Sequence, residues 1–180
     1  MTKVIKAKAK DFEGFYKLLK KTLQDGSFLY PKESISYLIN IGLPKKAQLK
    51  KDILKGERPL DIVYKKDKIV GYLLTKKEYA GVAFGHWLGV DSKFRHKGIG
   101  SELLINWEKD AIKMGAHVLQ LWTTENDLGF YKKNRFILGG KFEKAWFGLN
   151  HYLFYKIIGK PNPKKYVNPG NSPQKRVKFA

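Results

Sequence analysis

The sequence contains no cysteine, and this absence excludes several kinds of chemistry. A chain without thiols has no disulfide framework, no thiolate nucleophile, and no cysteine-ligated zinc or iron–sulfur site. Long apolar runs are also missing, because no segment approaches the roughly 20 residues that span a bilayer. The first ten residues alternate lysine with apolar residues and lack the apolar region of a secretion signal. We therefore expect a cytoplasmic protein with no membrane partner.

Acidic residues are scarce as well. Sixteen aspartates and glutamates stand against 36 lysines and arginines, which gives a net charge of +20 over 180 residues. Only four of these cations are arginine, the residue best suited to bidentate contacts with phosphates and guanine edges. Lysine excess is typical of a solvated surface that attracts anions. The composition favours such a surface over dedicated nucleic-acid recognition, although nucleic acid stays open as a partner.

The rest of the composition indicates one folded domain followed by a tail. Hydrophobic residues make up 43% of the chain and aromatic residues 14%, which is enough to bury a core. We expect this domain to cover residues 1–159. Residues 160–180 carry six cations, no acidic residue and four prolines, so they are predicted to form a flexible basic tail.

Periodicity predicts a mixed order of strands and helices. Strands are predicted over residues 3–7, 61–64, 69–75, 83–90, 117–123, 141–147 and 151–158. Helices are predicted over residues 11–23, in the segment after Pro31, and over 45–55, 101–114 and 128–133. This order, in which helices interrupt antiparallel strands, is typical of an α/β domain of the α+β or mixed-sheet kind.

One turn joins the strand that ends at Val90 to the helix that begins near Ser101. It consists of Arg95, His96, Lys97, Gly98, Ile99, Gly100 and Ser101. A helix N-terminus offers unpaired N–H groups, and glycines let the main chain approach an anion, so this turn is suited to phosphate. It lacks the Gly-Lys-Ser/Thr of a Walker A loop and the third glycine of a dinucleotide fingerprint. An ordinary glycine-containing turn is the alternative interpretation.

The surroundings of this turn resemble a known family. Leu88-Gly89-Val90-Asp91, the turn, and Ser101-Glu102-Leu103-Leu104 resemble motif A of the GCN5-related N-acetyltransferases, whose core is Arg/Gln-x-x-Gly-x-Gly/Ala. Downstream, Asn126 and the segment 130–136 resemble motif B of the same family. Two features depart from the pattern. Asn126 is only five residues before Tyr131, which is shorter than the family's usual interval. Arg135 stands where the family has glycine before phenylalanine.

The resemblance implies a fold and an activity. The fold is the acyl-CoA N-acyltransferase fold, a mostly antiparallel central sheet with a splayed parallel pair and flanking helices. The activity is transfer of the acetyl group of acetyl-CoA to a primary amine by direct attack on the thioester. By the same resemblance, main-chain groups of Leu88 and Val90 bind the pantetheine arm and the amides of residues 95–101 bind the pyrophosphate. Asn126 lies at the cleft, and Tyr131 protonates the departing thiolate.

The sequence offers several candidates for the base that takes the proton of the amine. Some family members place a glutamate where this chain has Phe84. His86 lies two residues further on, on the same strand face unless a bulge intervenes, and histidine titrates near neutrality. Glu78 and Glu125 are alternatives, and a hydrogen-bonded core histidine is another interpretation of His86. The other three histidines show no metal-ligand spacing, so no metal is predicted.

The sequence alone does not identify the amine that accepts the acetyl group. In the resembled family the acceptor site is shaped by regions corresponding to the helices of residues 31–55 and the hairpin of Trp146, Phe147, Asn150 and Tyr152. A positive protein repels polycations unless Glu125 and Asp127 make the cleft locally negative; acidic metabolites, protein termini or lysines beside acidic patches fit the charge better. The alternative function is a non-catalytic basic module of the same fold that binds nucleic acid or an acidic partner through residues 45–55 and the tail. A third alternative is that the fold binds CoA but transfers another acyl group, and the sequence also leaves a homodimer through the final strands open.

Overall fold

A computed structural model describes residues 3–26, 28–42 and 45–166 of the chain. The strands are β1 (Val4–Lys6), β2 (Leu60–Lys65), β3 (Lys68–Tyr79), β4 (Val82–Val90), β5 (Val118–Thr123), β6 (Ile137–Phe142) and β7 (His151–Ile157). The helices are α1 (Phe12–Gln24), α2 (Lys32–Tyr37), α3 (Lys46–Leu54), α4 (Ile99–Met114), α5 (Leu128–Lys133) and α6 (Pro163–Tyr166). A π-helical segment, Leu38–Gly42, extends α2.

The strands form one mixed sheet in the order β1-β2-β3-β4-β5-β7-β6. Neighbouring strands are antiparallel except β4 and β5, which are parallel. A parallel pair needs a crossover connection, and α4 supplies it. The mixed α/β fold predicted from the sequence, with one parallel pair in a mostly antiparallel sheet, is confirmed.

Helices cover the two faces of the sheet with separate cores. On one face, α4 packs its apolar stripe of Leu103, Trp107 and Ala111 against strand residues such as Leu119 and Phe154. On the other face, α1 packs an apolar stripe against inward residues of β2, β3 and β4; its core members are Phe12, Phe15, Leu18, Leu19 and Leu23. Because successive side chains of a strand point to opposite faces, strands β1 to β4 contribute to both cores, whereas the buried core residues of β5 and β7 belong to the α4-side core.

The parallel pair is hydrogen-bonded over only part of its length. Pairing between β4 and β5 begins at Val82 with Val118 and ends at Gly85 with Leu121, although β4 continues to Val90. On the other side of β4, Leu74 pairs with Trp87 and Thr75 with Gly85, so His86 is an extra, bulged residue. A bulge bends its strand and increases its twist. Beyond Gly85, β4 therefore diverges from β5 and leaves a gap in the sheet.

The strand predicted over residues 141–147 is wrong in its position. The structure has β6 at Ile137–Phe142, and residues Trp146–Gly148 form a 3₁₀ turn instead. Apolar residues in this stretch suggest a strand, but Phe147 has a φ of 59°, in the left-handed region that a strand does not use. The aromatic side chains of this segment are thus carried by a loop and not by a strand.

The end of the chain is described only in part. Residues Pro163–Tyr166 form the short helix α6 within the predicted flexible tail. Residues 167–180 lie outside the described residues, so the tail stays a prediction. None of the helices in the described part of the chain combines the length and the apolar character of a membrane-spanning segment.

Candidate functional site

The gap between β4 and β5 opens into a cavity of about 1050 Å³. One part of its wall is the segment from Phe94 to Ser101 together with α5, and we refer to it as the turn end. The opposite part lies on the α1 side of the sheet, and we refer to it as the aromatic end. The aromatic end is formed by Phe28, Tyr30, Trp87, Thr124, Trp146, Phe147 and His151. The splayed strands connect the two ends.

Main-chain groups of β4 face the gap. The Asp91 N–H donates to the Val70 carbonyl at 2.9 Å, which fixes the direction of the hydrogen bonds along this edge. Because hydrogen-bonded and non-hydrogen-bonded pairs alternate along an antiparallel ladder, Leu88 and Val90 direct their N–H and C=O groups away from β3. The Val90 carbonyl accepts a hydrogen bond from Arg95 Nε at 3.1 Å. Within the described residues, β5 pairs with β4 only as far as Gly85, so a ligand that lies along the strand can bond to the remaining groups.

The turn end presents the N-terminus of α4. Gly98 precedes the helix with a φ of 81°, so α4 begins at Ile99, two residues before the predicted start. The amides of Ile99, Gly100 and Ser101 have no intrahelical acceptor, because the first turn of a helix leaves its N–H groups unpaired. A Cβ at Gly100 would lie 3.0 Å from the Phe130 ring, so glycine is needed there for close packing with α5. This arrangement suits an anion.

The cationic side chains of the turn hold its shape. Arg95 bonds to the Val90 carbonyl and to the Asp25 carboxylate just after α1. Lys97 places its Nζ 5.4 Å from the centre of the Phe94 ring, and it is not among the described residues that line the cavity. His96 does line the cavity, with a φ of 59°. Main-chain amides, more than these side chains, face the space that the predicted pyrophosphate would fill.

Tyr131 is buried at the centre of an aromatic cluster on α5. Its ring centroid lies 5.0 Å from that of Phe130, 5.8 Å from Phe136 and 5.6 Å from Phe154. Burial, and then the nearby Asp127 carboxylate, raise the pKa of its hydroxyl far above the ordinary range. Tyr131 also lines the cavity, so it is a neutral hydroxyl at a ligand-accessible wall.

The end of α5 explains one departure from the family pattern. The Phe136 N–H donates to the Tyr131 carbonyl at 3.0 Å, and the Arg135 N–H donates to the Lys132 carbonyl at 2.9 Å. These two bonds are those of a Schellman motif, whose residue after the cap is left-handed and usually glycine. Arg135 occupies that place with a φ of 65°. The position therefore keeps the shape that glycine favours, although its residue is arginine.

Two polar residues lie at the end of β5. Asn126 belongs to the 3₁₀ turn Glu125–Asp127 and is an exposed residue of the cavity wall. Asp127 also lines the cavity. Desolvation raises the pKa of the Asp127 carboxyl, while a hydrogen bond from Thr123 and the charge of Arg95 act in the opposite direction. The short interval between Asn126 and Tyr131 is thus accommodated by a 3₁₀ turn that leads directly into α5.

The geometry does not favour His86 as the base. The bulge removes it from the register of Phe84, and its Nδ1 lies 3.2 Å from Arg58 Nη1. A guanidinium only donates, so Nδ1 accepts and the proton of the neutral ring sits on Nε2. Partial desolvation, then the charges of Lys76 and Arg58, lower the pKa of this imidazole well below its usual range. His86 lines the cavity but has no free lone pair to offer there.

The two alternative carboxylates lie elsewhere. Glu78 accepts the Gly81 N–H in the β3–β4 hairpin and is not a described cavity residue. Glu125 accepts a 3.4 Å hydrogen bond from the Tyr152 hydroxyl and lines a second, smaller cavity of about 310 Å³. Among the described residues, no group of three histidine, aspartate or glutamate side chains is arranged to hold a metal ion.

The aromatic end contains residues that the sequence did not single out. Trp87, Thr124 and His151 are buried in its wall, and the loop residues Phe28 and Tyr30 contact Trp87. Trp146 and Phe147, which were expected in a hairpin that shapes the acceptor site, also line this end of the cavity. Asn150 and Tyr152 do not line the main cavity: Asn150 accepts the Lys144 N–H, and Tyr152 packs into the α4-side core. No periodicity or motif marks the residues that were missed.

Comparison with known families decides the classification. The profile of the Acetyltransferase (GNAT) family matches residues 15–136, which is more than half of the chain. The chain belongs to the GNAT acetyltransferase family. The match includes the turn end and Tyr131 and stops before the loop of Trp146 and Phe147. The resemblance found in the sequence is confirmed, and membership of this GNAT family gives the protein N-acetyltransferase activity.

Solved structures share the fold of this GNAT protein. The PaiA N-acetyltransferase of Thermoplasma acidophilum, solved with coenzyme A, is 21% identical with a TM-score of 0.73, covering 87% of this chain and 99% of that one. The ribosomal-protein-alanine N-acetyltransferase of Brucella melitensis is 17% identical with a TM-score of 0.70, covering 86% and 99%. A GNAT acetyltransferase of Streptococcus pneumoniae is 17% identical with a TM-score of 0.68, covering 88% and 100%. No curated protein matches the chain at a significant level.

Proposed function

We propose that this GNAT protein transfers the acetyl group of acetyl-CoA to a primary amine by direct attack of the amine on the thioester. The observation that carries the proposal is the gap between β4 and β5. Main-chain groups of Leu88 and Val90 face this gap, and it leads directly to the unpaired amides at the start of α4. A long ligand with an amide-containing arm and a pyrophosphate fits such a series of donors and acceptors.

The residues at the turn end fit acetyl-CoA in charge and in space. The amides from Arg95 to Ser101 would hold the pyrophosphate, with His96 beside it. Gly98 leaves open space where a side chain would stand, since a Cβ there would meet no atom within 4 Å. Leu88 and Val90 would bond the pantetheine arm, and Asn126 would lie beside it at the cleft.

Acetyl-CoA supplies the activated thioester. As the amine nitrogen bonds to the carbonyl carbon, the carbon–sulfur bond breaks and the thiolate leaves with its electron pair. Tyr131 holds its proton at neutral pH and donates it to that sulfur. Main-chain N–H groups of β4 that face the gap are the donors available to the oxygen on which charge develops. The amine proton must go to a base elsewhere in the cavity.

Calorimetric titration with acetyl-CoA tests the proposal, because a protein of net charge +20 attracts many anions. Titrations at several salt concentrations, with ATP and heparin as controls, separate specific from general anion binding. We expect saturable one-to-one binding that persists in salt and weakens at least tenfold in Gly98→Val. Gly56→Val is the matched control: Gly56 has a φ of 73°, a Cβ there would also meet no atom within 4 Å, and it is not a described cavity residue.

If acetyl-CoA binds no better than ATP and all affinity disappears in salt, the proposal fails. The non-catalytic basic module that binds nucleic acid or an acidic partner would then be the better interpretation. A cytoplasmic location and a homodimer through the final strands stay predictions; fractionation and light scattering of the full chain address them.

A further inference from the structure

Three buried polar atoms at the aromatic end lack hydrogen-bond partners. They are Trp87 Nε1, Thr124 Oγ1 and His151 Nε2, unpaired within residues 3–26, 28–42 and 45–166. The three residues are only 8%, 4% and 3% exposed, and all of them line the cavity. An unpaired buried polar group costs about 1–3 kcal/mol, and native proteins contain few of them. Three in one wall indicate a place where a ligand supplies the missing partners.

His151 has a defined tautomer. Its Nδ1 lies 3.1 Å from the Leu149 carbonyl oxygen. A carbonyl only accepts, so Nδ1 carries the proton and Nε2 of the neutral ring holds a lone pair. This lone pair can accept an amine N–H and can take its proton. Unlike His86, whose lone pair accepts from Arg58, His151 has its acceptor nitrogen free among the described residues.

Aromatic rings pack against the His151 imidazole. The His151 ring centroid lies 4.8 Å from that of Trp146 and 6.3 Å from that of Tyr30. Tyr30 in turn lies 5.3 Å from Phe147 and 6.4 Å from Trp87. Exposed aromatic residues of the cavity continue this surface towards solvent, since Tyr37 and Trp146 are each 50% exposed and Trp122 is 39% exposed. Clustered exposed aromatic surface marks a binding site for an apolar partner or ligand.

The charges of the cavity disfavour a polycation. Among the described residues that line it, Asp127 is the one acidic residue, and it interacts with Arg95 and Tyr131 of the turn end. Lys76 and Lys133 add positive charge to the wall. Glu125, which could make the cleft locally negative, lines the smaller cavity instead. A polyamine or an aminoglycoside would find no ring of carboxylates to pair with its ammonium groups.

Strained backbone conformations occur in the two loops that carry the aromatic residues. Leu29, between Phe28 and Tyr30, has a φ of 57°, and Phe147 has a φ of 59°. A residue other than glycine in the left-handed region costs about 1–3 kcal/mol and tends to occur at functional sites. Each of the two loops that form this end of the cavity therefore contains a left-handed residue other than glycine, Leu29 in one and Phe147 in the other.

We infer that the aromatic end is the acceptor site for a primary amine carried on a flat apolar body, and that His151 Nε2 receives the amine hydrogen bond and then its proton. The inference rests on the proposed function. As the carbon–nitrogen bond forms, the proton of the amine moves to Nε2. After Tyr131 has given its proton to the departing sulfur, the imidazolium returns a proton to the phenolate through water. Trp87 Nε1 and Thr124 Oγ1 bind other polar atoms of the acceptor.

A panel of amines tests the substrate class. With saturating acetyl-CoA, the acceptors are 2-phenylethylamine, tryptamine, n-butylamine, spermidine, kanamycin and a short peptide with a free N-terminus. We expect kcat/KM for the two aryl amines to exceed that for n-butylamine and spermidine at least tenfold. A preference for spermidine, kanamycin or the peptide would overturn the assignment of the acceptor class.

Three variants test His151 and its surroundings. His151→Gln keeps an acceptor atom but no base, so kcat for 2-phenylethylamine should fall about 100-fold with little change in KM. His151→Phe removes both functions and should also raise KM. Trp87→Phe keeps a ring and removes the N–H, so KM should rise severalfold. Trp107→Phe is the control, since Trp107 is equally buried on the other face and is not a described cavity residue.

Acetyl-CoA titration of the same variants separates this inference from the proposed function. We expect the affinity of each variant for acetyl-CoA to stay within twofold of the parent. If acetyl-CoA fails to bind even the parent, the proposed function fails. If acetyl-CoA binds and the His151→Phe variant still transfers the acetyl group at the rate of the unchanged protein, the inference about His151 is wrong and the proposed function stands. A 100-fold loss in His86→Phe with no loss in His151→Gln would return the role of base to His86.

Discussion

The turn end and the aromatic end of the cavity are built from different parts of the chain. The turn end comes mainly from one continuous stretch, residues 94–101, and presents main-chain amides that its side chains hold in place. The aromatic end is assembled from four separate segments, around Tyr30, Trp87, Thr124 and His151, and presents side chains. One end is therefore encoded locally, and the other exists only after the fold has formed.

This difference separates the shared chemistry from the choice of acceptor. The stretch that matches the GNAT profile, residues 15–136, contains the turn end and Tyr131. Of the aromatic end, Tyr30, Trp87 and Thr124 also lie within it, whereas His151 and the loop of Trp146 and Phe147 lie beyond it. The donor side of the reaction can thus stay the same while the loops that shape the acceptor side change, because loops on a rigid scaffold tolerate sequence change.

The largest effect is expected at Tyr131, on the α5 side of the turn end. Tyr131→Phe keeps the ring packed against Phe130 and Phe154 and removes the proton donor. We expect kcat to fall at least 100-fold, about 2.7 kcal/mol in activation free energy, with acetyl-CoA affinity unchanged. Steady-state kinetics with calorimetry measures both quantities.

Tyr72→Phe is the matched control for that change. Tyr72 is also fully buried, but its hydroxyl bonds to Thr22 at 2.7 Å and the residue is not a described part of the cavity wall. We expect it to lower the free energy of unfolding by about 1 kcal/mol with little change in kcat. If both variants lost only stability, Tyr131 would be a packing residue and not the acid.

A second, smaller effect tests how the turn end is held. Arg95→Ala removes the bonds to the Val90 carbonyl and to Asp25, so the turn loses its attachment to β4 and α1. We expect acetyl-CoA affinity to fall about tenfold, or about 1.4 kcal/mol, including at high salt. Lys97→Ala removes an exposed charge over Phe94 and should change affinity less than threefold, an effect that salt removes.

Equal losses of acetyl-CoA affinity in Arg95→Ala and Lys97→Ala, both removed by salt, would contradict the view that Arg95 acts by holding the turn in place. The turn end would then bind through side-chain charge, and the contrast between a main-chain end and a side-chain end would no longer hold.

The sequence predicts the turn end because local signals define it. Gly98 and Gly100 stand between an apolar strand and an amphipathic helix, and the structure places them at that junction, with Gly98 left-handed and Gly100 against Phe130. The order of elements follows from the same kind of local pattern, whereas the parallel pair was expected only from the resemblance to the acetyltransferase family. Only the sixth strand is displaced, since aromatic residues at 146 and 147 imitate a strand.

The aromatic end was not predictable in the same way. His151 begins β7 and could equally have pointed into the α4-side core, where its neighbour Tyr152 lies. A shift of one residue in strand register reverses which side chain faces which side. The bulge at His86 has the same effect on β4, and nothing in the local sequence marks it. Contacts between distant segments decide these orientations.

A third prediction concerns Asp127, the one acidic residue among the described residues that line the cavity. Its pKa is raised by desolvation above the ordinary 3.8, so ionisation is less favourable in the folded than in the unfolded chain. This carboxylate therefore lowers stability as pH rises above about 3.8. Asp127→Asn should raise the free energy of unfolding at pH 7 by less than about 1 kcal/mol, with the gain vanishing below pH 3.8. Urea unfolding across this pH range measures it, and a gain that persists in acid would contradict the desolvation argument.

The smallest effect is expected at Arg135, which closes α5 behind Tyr131. Arg135 is exposed and has a left-handed backbone conformation. This conformation costs arginine about 1–2 kcal/mol and costs glycine little. Glycine, however, loses about 0.5–1 kcal/mol more backbone entropy on folding. Arg135→Gly should therefore raise the free energy of unfolding by about 0.5 kcal/mol and leave kcat unchanged, because the bond from Phe136 to the Tyr131 carbonyl is kept. Arg135→Ala removes the same side chain without relieving the strain, so it should give no gain in urea unfolding. Equal gains in the two variants would assign the effect to lost charge and not to backbone conformation.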